Sequence, residues 1–306
     1  MDVVNPNVTD NSTVQQVQHT TNRSQIHTIR TLVAYLDDQE KRNLLLGRPP
    51  FPGEDLAQLE QLIKQYNMAR ASRPNYTITN PIESEDNPIL DTIRTRPDIV
   101  NVFGQLGLPY RPVMIDLKQV LAFQSFVRID DLDERVISAT KNTDSLLELC
   151  FPTSVRMECS IELNDQGYTF FSSNPNLVLA PTQIPATIAG GQTVPAQAFV
   201  PQVNFNLFSV AHYQERYFIR DGYHRAVGLL HNNPEPKVIV PCILVETQTL
   251  NQTGWKPGMI AETVMLSNKP PHLTDFWENT VSFESLRQPK RRVYRVRLDV
   301  FDVPTT

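Results

Sequence analysis

Four residues whose types could do chemistry together stand at one corner of the sequence: Asp221, Gly222, His224 and Arg225, inside "RYFIRDGYHRAVGLL", residues 216 to 230. A strand that turns sharply into a helix points the helix's first free N–H groups at whatever lies above the turn. Those groups and the helix dipole favour an anion, typically a phosphate. Gly222 lets a ligand approach the main chain, and Arg225 offers a planar fork of donors that suits phosphate oxygens. His224 donates to a phosphate or acts as acid or base near neutral pH. Asp221 has two readings, capping the helix or holding Mg²⁺ beside the phosphates. A plainer reading stands next to these: an Asp-Gly turn with a capped helix and two solvated cations, holding no ligand.

The elements that must position this corner are legible around it. Phe205 to Tyr213 suits a strand, Gln214-Glu215 a tight turn, Arg216 to Ile219 the returning strand, and Tyr223 to His231 a helix with Ala226, Val227, Leu229 and Leu230 on one face. "NNPEP" stops that helix. Val238 to Val245 is a strongly β-prone run whose Pro241 implies a sheet edge or a strand end. Upstream, Val113 to Ile115 reads as a strand that passes into a short helix near Leu117 to Ala122.

The strand ending in Asp-Gly-x-His-Arg and opening an apolar helix resembles the signature of the ParB/sulfiredoxin-like superfamily. "VIVPCILVET" is similar to the strand that follows in those proteins, and "YRPVMIDLKQVLAFQSFV" to their opening strand and helix. The resemblance covers about 18 residues near 112 to 129 and about 45 near 203 to 247. It implies ATP or CTP, with Mg²⁺, held at Gly222, Tyr223, His224 and Arg225, with His224 and Asp221 as the residues of any catalysis. Family activities diverge between CTP-hydrolysing partition clamps, sulfiredoxins that repair over-oxidised cysteine, kinases of free serine and nucleases, so the fold does not fix the reaction. Tyr223 stands where sulfiredoxins carry their catalytic Cys, which argues against that chemistry. A carboxylate base for a phosphotransferase would come from Asp116, Asp130 or Asp131, none of which spacing singles out.

The rest of the chain sets the frame. Its 306 residues, 40% hydrophobic and 20% charged, give ordinary globular material for about two domains. Net charge is −5, so no global basic field advertises nucleic acid. The three cysteines, Cys150, Cys159 and Cys242, lack CxxC spacing and read as free thiols in a reducing compartment. With neither a signal peptide nor a run long enough to span a membrane, the expected location is cytoplasmic.

Residues 1–25 read as a mobile polar tail, and 26–108 as a helical N-terminal unit. Within that unit Ile26, Ile29, Leu32, Val33 and Leu36 share one helical spacing, Leu56, Leu59, Leu62, Ile63 and Tyr66 form another stripe, and a shorter helix breaks at Pro97. Residues 109–250 read as the ParB/sulfiredoxin-like domain, with an insertion near 130–202 that holds a hairpin around "NDQG" and a Pro-rich arm around Gly190-Gly191. A C-terminal extension, 251–306, adds a strand with Tyr294 and Val296 facing away from Arg295 and Arg297. Arg291, Arg292, Arg295 and Arg297, interleaved with Tyr294, suit single-stranded nucleic acid, or simply a charged strand edge. Trp255 and Trp277 read as packing residues, and His212, on the far hairpin strand, as too distant for a metal triad with Asp221 and His224.

The expected architecture is therefore α+β. The leading function is binding of a nucleotide or phosphate ligand, with phosphotransfer or nucleotide hydrolysis as its extension. A non-catalytic structural or interaction protein is the alternative, and a nucleic-acid-associated protein the third reading.

Overall fold

The computed structural model describes residues 26–46, 55–130, 136, 143–153, 159–164, 167–172, 177–187, 190–203, 206–288 and 292–297. The tail expected over 1–25 lies outside them. The fold is α+β. In chain order it runs β1 (His27–Thr31), a 3-10 turn (Val33–Tyr35), α1 (Asp38–Leu45), α2 (Leu56–Ser72), β2 (Ile82–Ser84), α3 (Pro88–Arg94), α4 (Pro97–Gly104), β3 (Tyr110–Asp116), a 3-10 turn (Leu117–Gln119), β4 (Phe126–Arg128) and α5 (Thr143–Cys150). There follow β5 (Ser160–Asn164), β6 (Gly167–Ser172), β7 (Leu177–Thr187), β8 (Thr193–Val203), β9 (Ser209–Tyr213), β10 (Arg216–Asp221), α6 (Tyr223–Asn232) and β11 (Ile239–Glu246). Two 3-10 turns (Leu250–Thr253 and Leu273–Trp277) flank α7 (Glu262–Met265), and β12 (Phe283–Arg287) and β13 (Arg292–Arg297) end the described chain.

A five-stranded mixed sheet of order β10-β9-β11-β3-β2 carries the corner. The β9–β10 hairpin is antiparallel, and α6 returns the chain so that β11 lies parallel to β9 on its other side, with Ile243 opposite Ser209. Antiparallel pairing of β11 with β3 continues the sheet, Val240 opposite Ile115. Pro241 thus lies in an interior strand, against the simplest reading of a strand proline. It sits where β11 has only β3 beside it, because the pairing with β9 begins two residues later at Ile243. A proline there removes no ladder donor that β9 needs.

The N-terminal unit is not all helical and does not stand apart. The run expected as its first helix forms β1, which pairs on one side with β12, His27 opposite Arg287, and on the other with β4, Ile29 opposite Arg128. The helical spacing of Ile29, Leu32 and Val33 is real, but Thr28, Ile29 and Thr31 are β-branched. Pairing with segments about 100 and 250 positions away overrides local propensity. The remaining helices follow their sequence signals. Asp37 accepts from Glu40 N (2.7 Å) while Glu40 reaches back to Asp37 N (3.0 Å), a capping box for α1; Asp55 caps α2 and Asn87 caps α3. Pro97 occupies the first turn of α4, where its missing N–H costs nothing. Of the α2 stripe Leu59, Ile63 and Tyr66 are buried, whereas Leu56 is exposed. One continuous hydrophobic core runs from Leu32 to Phe283 and includes residues of α1 to α4 beside those of the five-stranded sheet.

Beyond that core the insertion forms its own sheets. β5 and β6 make the expected hairpin, and the expected C-terminal strand, β13, pairs with β6, Tyr294 opposite Phe170, outside the main sheet. The Pro-rich excursion is a two-stranded hairpin in which β7 and β8 pair from Leu177–Val203 to Thr187–Thr193. Pro181, Pro185, Pro195 and Pro201 all fall on alternate, same-class pairs of this ladder, where their missing N–H groups face outward.

Candidate functional site

The corner is set by two turns of opposite purpose. Gln214 and Glu215, φ 47° and 60°, close the β9–β10 hairpin in the left-handed conformation that matches strand twist. Strand β10 then ends at Gly222, φ 99° and ψ 19°, from which α6 starts. Asp221 does not cap this helix. Its Oδ1 accepts from Gly222 N at 2.6 Å, and among the described residues no side chain bonds the first amides of α6. The helix's own ladder begins with Ala226 N donating to Gly222 O at 2.9 Å, which leaves the amides of Tyr223, His224 and Arg225 without an acceptor among the described residues.

Each predicted residue has a definite place. Arg225 Nη1 donates to Leu149 O (2.9 Å) and Cys150 O (3.1 Å), tying the last carbonyls of α5, and its guanidinium lies over the Phe208 ring at 5.6 Å. Its Nη2 is buried with no partner among the described residues, as is Nε of Arg220 one residue before the turn. Tyr223 faces inward: its hydroxyl accepts from Phe123 N (2.7 Å) and Gln124 N (3.0 Å), and its ring meets Phe123 edge-on. His224 Nε2 accepts from Arg128 N at 3.2 Å.

Gly222 requires a correction. A Cβ there would lie 2.6 Å from Cδ2 and 3.0 Å from Cε2 of the buried Phe208 ring, and 3.2 Å from Arg225 Nη2. On that side the space left by the missing side chain is filled by protein, so the glycine is needed for its backbone angle and for Phe208 rather than to admit a ligand.

The electrostatics are one-sided. Burial pushes the Asp221 carboxyl above its ordinary range, against the opposing pull of Arg225, the Gly222 amide and Arg220. Crowding by the surrounding protein, then the charges of Arg128 and Arg225, depress His224 to about 4. Part of the residue is open to solvent, which tempers that depression. The bond from Arg128 N nevertheless fixes Nε2 as an acceptor and leaves Nδ1 to carry the proton of a neutral ring. Two guanidinium groups, those of Arg225 and Arg220, therefore act on one carboxyl whose ionised form is disfavoured. Asp221 fits Mg²⁺ poorly. It is a single carboxylate with one oxygen already bonded to an amide, and among the described residues no group of three or more His, Cys, Asp or Glu side chains converges.

Other candidates fall elsewhere. Asp116 is buried and accepts from Lys118 N (3.1 Å), Val238 N (3.0 Å) and Gln119 Nε2 (3.1 Å), a structural latch between β3 and the approach to β11. Asp130 accepts from Thr28 N at 2.6 Å; Asp131 lies outside the described residues. His212 stacks on Tyr217 at 4.5 Å and bonds Glu246 through Nδ1 at 2.7 Å. Trp255 donates to Ile260 O and Trp277 to Val227 O, and both pack on the core. Arg295 and Arg297 are exposed on β13, but Tyr294 points to the other face and donates to Leu177 O at 2.9 Å, so it does not interleave with them. Arg291 lies outside the described residues, and for Arg292 the backbone pairing alone is described.

Sequence reading missed Arg220, Phe208 and Arg128. Arg220 stands beside the Asp-Gly turn and was legible as a second cation. Phe208 and Arg128 are brought to the corner only by folding. No family model, curated protein or solved structure matches this chain.

Proposed function

We propose that this protein binds a phosphate-bearing ligand, a nucleotide such as ATP or CTP, at the Asp221–Arg225 corner. The observation that carries the reading is a set of donors near one turn with no acceptor among the described residues. The uncapped amides of α6 and the buried Nη2 of Arg225 lie at one turn, with Nε of Arg220 close by in sequence. A buried donor left unsatisfied costs about 1–3 kcal/mol, and more when it is charged. A water molecule meets one such need. An anion meets several at once and offsets the surplus of positive charge that a poorly ionised Asp221 leaves. The strand-turn-helix resemblance to nucleotide-binding ParB/sulfiredoxin-like proteins points the same way.

In this reading Arg225 has two jobs, one nitrogen anchoring α5 and the other meeting a phosphate oxygen. His224 donates from Nδ1. Its acceptor nitrogen is engaged and Asp221 resists ionisation, so the corner suits holding and orienting a phosphate better than abstracting a proton. Phosphotransfer or hydrolysis would need a base from elsewhere.

A second reading has its own support. Tyr223, Arg225 Nη1 and His224 Nε2 all bind main chain, and Phe208 fills the glycine's open side, as a purely structural joint would require. Calorimetric titration of the full chain with ATP, CTP and pyrophosphate separates the two, alongside Arg225→Lys, which keeps the charge and loses the fork. Saturable binding below about 1 mM, weakened roughly tenfold or more by Arg225→Lys, supports the ligand reading. Absence of binding by the wild type at that concentration leaves the joint alone.

A further inference from the structure

On the far side of the Leu117–Gln119 turn from β3, the segment that leaves α2 runs from Arg73 to Pro81 without regular structure and closes a second cleft of about 260 Å³. We propose that this cleft binds a small anion that carries one flat ring, an aryl phosphate or aryl carboxylate. None of its lining residues belongs to the Asp221–Arg225 corner, so the inference stands independently of the proposed function.

The walls are already held together. Tyr76 N donates to Asn268 O at 2.7 Å, Lys269 Nζ donates to Ala71 O, and Arg73 pairs with Asp275 and Glu278. These bonds cross between the α2 exit and the Asn268–Glu278 region, so the cleft exists before any ligand arrives, as binding sites commonly do. Its volume is below the roughly 300–1,000 Å³ that drug-sized ligands occupy, which limits the guest to a small molecule.

The lining has a distinct charge pattern. It includes Arg73, Lys118 and Lys269 and no Asp or Glu, in a chain whose net charge is −5. Arg73 is committed to its two carboxylates. Lys118 Nζ donates to Glu235 O, and Lys269 Nζ to Ala71 O, so each meets a carbonyl rather than a carboxylate. The nearby Asp116 is occupied by two amides and Gln119. Two ammonium groups that bond no carboxylate among the described residues favour an anion.

Ring recognition comes from the remaining walls, which are largely apolar and flat. Pro74 and Pro270 line the cleft with Tyr76 and His272, whose rings lie 5.8 Å apart and tilted by 53°. The Tyr76 hydroxyl is buried near the amide of Thr79 with no acceptor for its proton among the described residues, and Arg216 sits over the Tyr76 ring at 4.8 Å. Burial and Arg73 hold His272 down at about 4, so its ring is neutral and presents no competing charge. The exposed Thr77 and Thr79 add hydroxyl donors at the mouth.

Phenyl phosphate, inorganic phosphate and benzyl alcohol are the probes, titrated calorimetrically against the full chain at low and moderate salt. Phenyl phosphate is expected to saturate below about 1 mM, inorganic phosphate to bind at least tenfold more weakly, and benzyl alcohol not to bind. Lys118→Gln with Lys269→Gln should weaken phenyl phosphate about tenfold or more and flatten its salt dependence, and Tyr76→Phe should weaken it severalfold. Arg225→Lys should leave it unchanged, which separates this site from the corner. Each of three results overturns the inference: no saturation by phenyl phosphate, equal affinity for phenyl and inorganic phosphate, or indifference to loss of the two lysines in variants whose melting temperature is intact. Loss of binding in Arg225→Lys also overturns it, because the ligand would then sit at the other site.

Discussion

Gly222→Ala tests the geometry of the corner more sharply than any charged substitution. At φ 99° an added methyl first incurs the left-handed backbone penalty, about 1–2 kcal/mol. It then meets Phe208 Cδ2 at 2.6 Å, well inside van der Waals contact, against a ring that is fully buried and has little room to yield. Overpacking of that kind costs about 1–3 kcal/mol. The two add to roughly 2–5 kcal/mol, a large part of the stability of an ordinary domain. Urea denaturation followed by circular dichroism measures the loss. A cycle with Phe208→Ala divides it, since the larger-to-smaller change alone costs about 3–5 kcal/mol but also removes the clash. The double variant is expected to be more stable than the sum of the singles by the overpacking share, about 1–3 kcal/mol. A single-variant cost below about 0.5 kcal/mol, or strict additivity in the cycle, would refute the account. If Gly222 served only to admit a ligand, the substitution would leave urea stability untouched and change binding alone.

Other consequences follow from particular bonds. Tyr223→Phe strips the acceptor from the amides of Phe123 and Gln124 and should destabilise by about 1–3 kcal/mol in thermal or urea unfolding while leaving ligand affinity within twofold. Burial and the charge of Arg73 hold the His272 ring neutral in the folded protein. Its folded value of about 4 lies below the 6.5 of an exposed ring, so its stabilisation is complete above pH 6.5 and is lost as pH falls toward 4, by at most about 3 kcal/mol. His272→Asn does not titrate, and should flatten the slope of stability against pH in that window by close to one proton. The β7–β8 hairpin packs chiefly against itself, so replacing 181–199 by an Asn-Gly turn should move the melting temperature by no more than about 2 °C. A larger drop would mean that the arm supports the core.

The parts legible in the sequence are those whose signal is local. The hairpin of β9 and β10, the turn at Gln214-Glu215 and the exit at Gly222 could each be located from a few neighbouring residues, and so could α6. The same holds for α2, whose apolar stripe and Asp55 cap coincide, and for the break at Pro97. What failed depends on distant pairing. β1 carries a helical spacing of apolar residues, and only its partners β12 and β4 decide that it is a strand. The choice of β6 as partner for β13, rather than the main sheet, has no local cause either. Pro241 shows the boundary well: the rule that a strand proline avoids a two-sided ladder holds, but the neighbour that makes its site one-sided is fixed by where β9 stops.

The chemistry of the corner divides along the same line. Residue types at 220 to 225 announce a concentration of donors, and that much needs no fold. Whether those donors are free depends on partners that come from elsewhere in the chain: the carbonyls of Leu149 and Cys150 at the end of α5, the amides of Phe123, Gln124 and Arg128, and the ring of Phe208. Folding consumes one Arg225 nitrogen, the acceptor face of His224 and the hydroxyl of Tyr223, and leaves Arg225 Nη2, Arg220 Nε and the first amides of α6. The consumed groups hold the remaining ones still. In the proposed reading, a guanidinium fixed by two carbonyls would lose little rotamer freedom when an anion arrives, so the structural bonds would lower the entropic cost of binding rather than compete with it. A joint and the proposed anion site are then compatible, because a rigid joint holds the unpaired donors still.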